Sequence, residues 1–302
     1  MPLVNFTNLD FDQVKTTLTD YIQSNSNFTD YDFQGSNLST IIDLLAYNTY
    51  ITSYNASMVA NEVFIDSATL RENVVSLARN IGYVPRSKKA ARATVTFTVD
   101  TTNITPKPST LTLRAGPVAA TSGTFGTQSF IFSILEDITV PVNNGIAEFN
   151  NISVYEGTLL TKSFTYNSRS QNQKFILPNS GIDTDLISVK VKEYQGSTAS
   201  VTYKLQDSLF DIDSTSNVYF IQEVEDERYQ IFFGDGIFGK EILNDNYITI
   251  NYIMTNGDSA NGINSFVFSG RITYVRDAIE YNITSGISLM STDLGSSGGE
   301  SI

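Results

Sequence analysis

The sequence predicts an α+β protein, with an N-terminal helical segment followed by mainly antiparallel β domains. Two observations carry this. Apolar residues recur at helical spacing between residues 10 and 82, and from Ala93 onward the recurrence shortens to every second residue. A third gives the sense of pairing. No helical pattern lies between the strand-like segments, and parallel neighbours would need such crossovers.

The first helix carries Phe11, Val14, Leu18, Tyr21 and Ile22 on one face behind Asp10, a suitable N-cap. The second starts after Ser36 or Asn37 and runs from Leu38 to about Phe64, roughly 40 Å at the helical rise. Its apolar residues between Ile41 and Val59 occupy more than one stripe. A helix apolar on several faces must be covered on several faces. Two readings stand: a partner subunit covers it, or it breaks near Asn55 into two core helices. Under the first, the partner-facing residues are Ile41, Leu44, Leu45, Ile51, Tyr54 and Met58. The third helix has Thr69 and Glu72 at capping-box spacing, a stripe of Leu70, Val74, Leu77 and Ile81, and the stop signals Gly82 and Pro85.

Strand patterns follow at Thr94–Val99, Thr110–Leu113, Ile187–Val191 and Tyr247–Ile253. Turn signals such as Asn143-Asn144-Gly145 and Asn256-Gly257 separate them. A polar stretch, Ser168 to Lys174, suggests a boundary. The expected organisation is a helical segment over 1–85, a β domain over 86–175, a second β domain over 176–285, and a polar linker over 286–302. The linker, ending Ser297-Gly-Gly-Glu-Ser-Ile302, suits a chain leaving a packed domain for a further region.

Composition narrows the function. The chain has neither cysteine nor histidine, which removes disulfides, thiol nucleophiles, histidine bases and ordinary zinc sites. A net charge of −13 opposes nucleic acid. The one basic cluster, Arg86 to Arg92, reads as a connector. No apolar run is long enough for a transmembrane helix.

Three segments invite a chemical reading. Gly234, Gly236 and Gly239 in Tyr229-Gln-Ile-Phe-Phe-Gly-Asp-Gly-Ile-Phe-Gly-Lys240 have the G-x-G-x-x-G spacing of a dinucleotide loop. That fingerprint needs a helix after the glycines to receive the pyrophosphate, and only seven residues separate Gly239 from the strand at Tyr247. No cofactor is expected. Gly234, Asp235, Gly236, Phe238 and Gly239 are read as a structural turn, with Gly234 and Gly236 at positive φ and Phe238 folded back into a core. The second segment, Asp211 to Asn217, has oxygen side chains at EF-hand-like spacing. It lacks the glycine at position 6 and the glutamate at position 12, so a solvated loop is favoured over calcium. The third, Glu223 to Glu227, has carboxylates that could line one strand face. With Asp211, Asp213, Glu223 and Glu225 they form the rival, enzymatic reading: a polysaccharide-acting tail domain built on paired carboxylates. A carbohydrate-binding β module is a further alternative.

Three motifs in order carry a family likeness. They are Asn37-Leu-Ser-Thr-Ile-Ile-Asp-Leu-Leu-Ala-Tyr-Asn48, then Asn61-Glu-Val-Phe-Ile-Asp-Ser-Ala-Thr-Leu-Arg71 with Ala78-Arg-Asn-Ile-Gly-Tyr-Val-Pro85, then the FGDGIFGK segment with Ile248–Tyr252 and Asn256-Gly257. Together they resemble the baseplate wedge proteins of T-even-type contractile-tailed phages, in the baseplate J-like family, particularly marine relatives. Asn261-Gly262 inverts that family's usual Gly-Asn order. The resemblance implies a virion structural subunit without catalysis, assembled in the host cytoplasm into the tail baseplate. Its implied partners are a second copy of itself, other wedge subunits, and neighbouring wedges in a ring whose rearrangement triggers sheath contraction. It also implies that the chain is an N-terminal portion of a longer protein.

Overall fold

The structure, a computed structural model, describes residues 10–24, 37–80, 87–121, 128–170, 172–206, 212–292 and 294–301. It has two compact units, Met1–Pro85 and Arg86–Ile302. The first contains α1 (Phe11–Ser24), α2 (Asn37–Glu62) and α3 (Arg71–Asn80). Asp10 caps α1 as expected, its Oδ1 accepting from the N–H groups of Asp12 (3.0 Å) and Gln13 (3.3 Å). The break considered near Asn55 does not occur: α2 runs through it unbroken for 26 residues.

The start of α3 differs from the expected capping box. Leu70 is the cap residue, its carbonyl accepting from Val74 N–H at 3.1 Å. The carboxylate at this terminus comes from Glu62, at the end of α2. Its Oε1 accepts from the N–H (2.9 Å) and hydroxyl (2.6 Å) of Thr69, and its Oε2 from Asn73 Nδ2 at 2.8 Å. A carboxylate there is favoured by the free N–H groups of a helix start, and a preceding helix end can supply it as well as the helix's own third residue. Ile81, the last residue of the expected stripe, and the stop signals Gly82 and Pro85 lie outside the described residues.

The second unit is built of strands. Six come first: β1 (Arg92–Asp100), β2 (Thr110–Leu113), β3 (Gly116–Thr121), β4 (Ile131–Ile134), β5 (Ile138–Asn143) and β6 (Ile146–Glu156). Seven follow: β7 (Thr158–Thr165), β8 (Phe175–Ile176), β9 (Ile182–Lys192), β10 (Val201–Leu205), β11 (Val218–Glu223), β12 (Tyr229–Phe233) and β13 (Tyr247–Met254). The last are β14 (Phe266–Phe268), β15 (Ile272–Arg276), β16 (Ile279–Ile283) and β17 (Ser291–Thr292). Pairing is antiparallel apart from β10 and β11, where Lys204 and Leu205 lie parallel to Val218 and Tyr219. The chain between those two strands, residues 206–217, has the dozen residues that a parallel connection needs.

These strands form two nested sheets. β1 to β6 and β14 to β17 make one of ten strands, and β7 to β13 make another of seven in the order β7-β13-β9-β10-β11-β12-β8. The seven-stranded sheet is thus an insertion between β6 and β14. The polar stretch Ser168–Lys174, expected between domains, connects β7 to β8 inside the inserted sheet. Composition marks a solvated loop, but sheet membership is decided by long-range pairing. The turn at Asn144-Gly145 is as expected: with φ of +53° and +85° it makes the two-residue hairpin from β5 to β6.

Alternation builds each core. Ala93, Val95, Phe97 and Val99 of β1 point inward while the intervening threonines point outward. Phe97 stacks on Phe149 of β6 with ring centroids 4.8 Å apart, and Phe132 meets Phe266 edge-on at 5.0 Å. In the second sheet Ile248, Ile250 and Tyr252 of β13 are buried beside Val189 and Ile231. That sheet curls, so that Phe164 of β7 and Phe175 of β8, on its two edge strands, meet at 5.5 Å.

The chain crosses between the sheets at a narrow stem. Glu156 ends β6 and is 1% exposed. Its Oε2 accepts from Thr255 Oγ1 (2.6 Å) and Asn256 N–H (3.0 Å), and its Oε1 from Asn256 Nδ2 (2.8 Å). The outgoing crossing is therefore tied to the returning one. Gly157 follows at φ +123°, where a Cβ would stand 2.3 Å from the Met254 carbonyl oxygen, so only glycine lets the crossings run this close. Residues of the basic cluster make contacts close to this stem. Ala90 N–H donates to Asp183 Oδ2 at 2.8 Å, Lys89 pairs with Asp185 at 3.5 Å, and Arg92 donates to Ser153 at 2.7 Å. Burial pushes the Asp183 carboxyl up, with those amide contacts acting against it.

Residues 286–302, read from sequence as a leaving linker, lie against the ten-stranded sheet as far as they are described. They pair along β1 through Ile287 with Val99, Ser291 with Thr96 and Ser297 with Arg92, and just before it through Glu300 with Lys89.

Candidate functional site

The long helix α2 has a single buried stripe: Ile42, Ala46, Ser57 and Asn61. Steps of four and eleven residues are close to one and three helical turns, so these four share one narrow face. The partner-facing residues expected from sequence lie elsewhere on the cylinder. Ile41, Leu44, Leu45, Ile51 and Tyr54 are exposed, with Leu44 at 67%, and Met58 is half-buried. Leu44, Ile51, Tyr54 and Met58 join with Tyr47, also exposed, at steps of three, four, three and four residues. That is the spacing of a coiled-coil seam. Ile41, Leu45 and Val59 form a separate flank on the far side of the seam. Tyr47 was missing from the expected set, and the three-four spacing was the signal for it. Burying such side chains would contribute about 1.5–3 kcal/mol each.

The G-x-G-x-x-G segment is a turn, with differences from the expected one. β12 and β13 run in opposite directions but are separated by β11, β10 and β9, so residues 234–246 cross the sheet and make no hairpin. Asp235 Oδ1 accepts from the N–H groups of Ile237 (2.9 Å) and Phe238 (2.8 Å), and these bonds hold its carboxyl below the usual range. Gly236 and Gly239 have φ of +84° and +89°. Gly234 has no positive φ, and a different constraint makes it glycine: a Cβ there would sit 2.2 Å from the Gly239 carbonyl carbon. Phe238 is not in the core but 45% exposed. The bond from its N–H to Asp235 places it at the tip of the turn, away from the sheet.

The loop after Asp211 docks onto this turn. Asp211 itself lies outside the described residues. Asp213 Oδ1 accepts from Ser216 Oγ (2.7 Å), Thr215 Oγ1 (2.9 Å) and Thr215 N–H (2.9 Å), which lower its pKa. The loop's carbonyls are used as well: Asp213 O accepts from Gly239 N–H at 3.1 Å, and Ser216 O from Lys240 N–H at 2.8 Å. Two segments read separately in the sequence therefore form one interlocked element. Among the described residues no group of three acidic side chains is placed to hold a metal ion.

The acidic run does not line a strand face. Glu223 is buried at the end of β11, while Glu225, Asp226 and Glu227 form a short 3-10 turn leading into β12. Asp226 and Glu227 have φ of +60° and +55°, which breaks the strand alternation that would have aligned the carboxylates. Arg228 pairs with Asp226 at 3.1 Å.

Comparison with known proteins follows the same divisions. Residues 10–83, the helical unit, match the family described as baseplate wedge protein gp6-like, helical domain. Residues 158–259 match bacteriophage baseplate wedge protein gp6, third domain, and β7 to β13 span 158–254. Two separate regions of the chain therefore match gp6-like baseplate wedge domains. It is 26% identical over 280 residues to baseplate wedge protein gp6 of Enterobacteria phage T4, an alignment covering 88% of this chain and 41% of that protein. The wedge chain thus spans well under half the length of that relative. The inserted seven-stranded sheet is thus similar to the gp6 third domain, and the interlocked GDGIFG turn lies within the matched residues.

Proposed function

We propose that this chain is a structural subunit of a phage tail baseplate wedge, and that α2 is where it joins other subunits. The observation that carries this is the exposed seam of Leu44, Tyr47, Ile51, Tyr54 and Met58, inside the region matched by the gp6-like helical domain. A helix seated along it would bury the seam in knobs-into-holes packing. A second copy of the chain is the first occupant, with other wedge subunits and neighbouring wedges completing a ring. In this reading the two β sheets act as rigid spacers, tied by the Glu156 stem, and set the angle at which wedges meet. The ring's rearrangement to trigger sheath contraction then takes place at packed helices, which switch between discrete arrangements. The role is architectural and non-catalytic, in the virion tail baseplate after assembly in the host cytoplasm.

Removing residues 1–85 tests this. The account expects residues 86–302 to remain folded and to lose association with the chain's wedge partners on co-purification. Association at the wild-type level without the helical unit would remove α2 from the interface.

A further inference from the structure

The GDGIFG turn presents apolar side chains that the fold leaves uncovered. Ile237 is 69% exposed and Phe238 45%, yet neither hangs on a loose loop. Asp235 Oδ1 holds the N–H groups of both, and the Asp213 loop accepts from Gly239 and Lys240 just beyond them. A turn tied this way offers its apolar residues to a partner without the ordering cost of a free loop. Its setting is acidic. Residues 212–217 and 234–246 carry Asp213, Asp235, Glu241 and Asp245 against Lys240 alone, and Lys174 of the adjoining cleft does not reverse the balance.

The opposite charge gathers on the outer face of the same sheet. Tyr203 of β10 lies opposite Val189 of β9, and both are buried. Thr202 and Lys190 stand opposite one step along, so Lys190, Lys192 and Lys204 share the outer face. Lys190 lies between Thr202 and Thr249, and Lys192 opposite Tyr247. The seven strands contain three acidic residues, and none answers these lysines: Asp183 and Glu223 are buried, and Asp185 pairs with Lys89. From the other sheet Glu136 reaches Lys190 at 3.0 Å. Like charges at neighbouring positions destabilise a sheet, so this cluster points to a counter-charge from outside.

We propose that the GDGIFG turn of one copy of this chain docks on the Lys190, Lys192 and Lys204 face of a second copy. Ile237 and Phe238 form the centre of the contact, and Asp235 and Glu241 pair with the lysines around it, an apolar core inside a charged rim. The acidic turn and the basic face are different surfaces of one chain, so the contact repeats head to tail from copy to copy. It involves neither α2 nor its seam, so it goes beyond the assembly reading and can fail while that reading stands. One turn on an open face buries little area, which makes the contact weak between free chains, and cross-linking captures it.

Unlabelled and isotope-labelled full chains are mixed at high concentration and treated with a carbodiimide, which joins a carboxylate directly to a lysine it touches. Mass spectrometry should find Asp235 or Glu241 of one copy joined to Lys192 or Lys204 of the other in mixed-label peptides, and these should fade in high salt. Phe238→Ser and Thr202→Glu change exposed positions and leave those four groups in place. Each should lower the yield about tenfold, the first by removing the apolar centre and the second by setting an acid among the lysines. No mixed-label product between these residues would overturn the proposal, as would a yield that either variant leaves unchanged.

Discussion

Glu156 and Asn256 hold one another twice, through the Asn256 N–H at 3.0 Å and the Asn256 Nδ2 at 2.8 Å, one bond to each carboxylate oxygen. The two residues are 100 apart in sequence and stand on the outgoing and returning crossings between the sheets. With Thr255 Oγ1 as a further donor, the buried carboxylate closes the seven-stranded insertion at its base.

Replacing Glu156 by alanine leaves these donors without their acceptor in a buried place. The expected loss is about 2–3 kcal/mol of stability, read from urea denaturation of the chain. Glu156→Gln keeps the shape but turns a donor toward donors, and should fall between wild type and alanine.

The glycines of the GDGIFG turn should rank by what surrounds them. Gly236→Ala faces only a positive φ with open space, the nearest atom being 3.7 Å away, and should cost about 1 kcal/mol. Gly234→Ala drives a Cβ into the Gly239 backbone at 2.2 Å and should cost more, about 1–3 kcal/mol for forced displacement. Thermal unfolding of the two variants checks the order.

Glu62 gives a pH dependence of known sign. Its bonds to the Thr69 hydroxyl, Asn73 and the Thr69 N–H lower its pKa from 4.5 to about 2. A depressed carboxyl stabilises above its unfolded value and loses that contribution as pH falls toward the folded one. The junction of α2 and α3 should therefore loosen between about pH 4.5 and pH 2. Hydrogen exchange at the amides of Thr69 and Leu70 should quicken over that range in wild type, and be fast and pH-independent beyond intrinsic rates in Glu62→Gln. The group is exposed, so added salt should narrow the difference.

What was legible in the sequence was whatever local periodicity controls. Phe11, Val14, Leu18 and Ile22 on α1, and Val95, Phe97 and Val99 on β1, are placed by spacing alone. The nesting of the sheets was not legible. It depends on β14 pairing with β3, a contact between Phe266 and Thr121, and no local pattern encodes a pairing at that separation. Phe238 was misplaced for a related reason. Its apolar character argued for a core, but the Asp235 side chain sets the direction of the turn. Glu62 was overlooked because Thr69 and Glu72 already satisfied a local capping rule, while the structure caps α3 from the end of the previous helix. The exposed apolar surface of α2 was readable in outline, and the three-four spacing that adds Tyr47 to it stands in the sequence as well.

The seam is the central claim, and co-expression of the chain with its neighbouring tail genes tests it most directly. Leu44→Glu and Tyr54→Glu place charges on exposed positions of α2, so the helix itself should keep its circular dichroism. Native mass spectrometry should show the wild-type chain in a complex with a second copy or another wedge subunit, and the double variant as a lone folded chain. A wild-type chain that stays monomeric with every neighbour, or a double variant that assembles as the wild type does, would contradict the account.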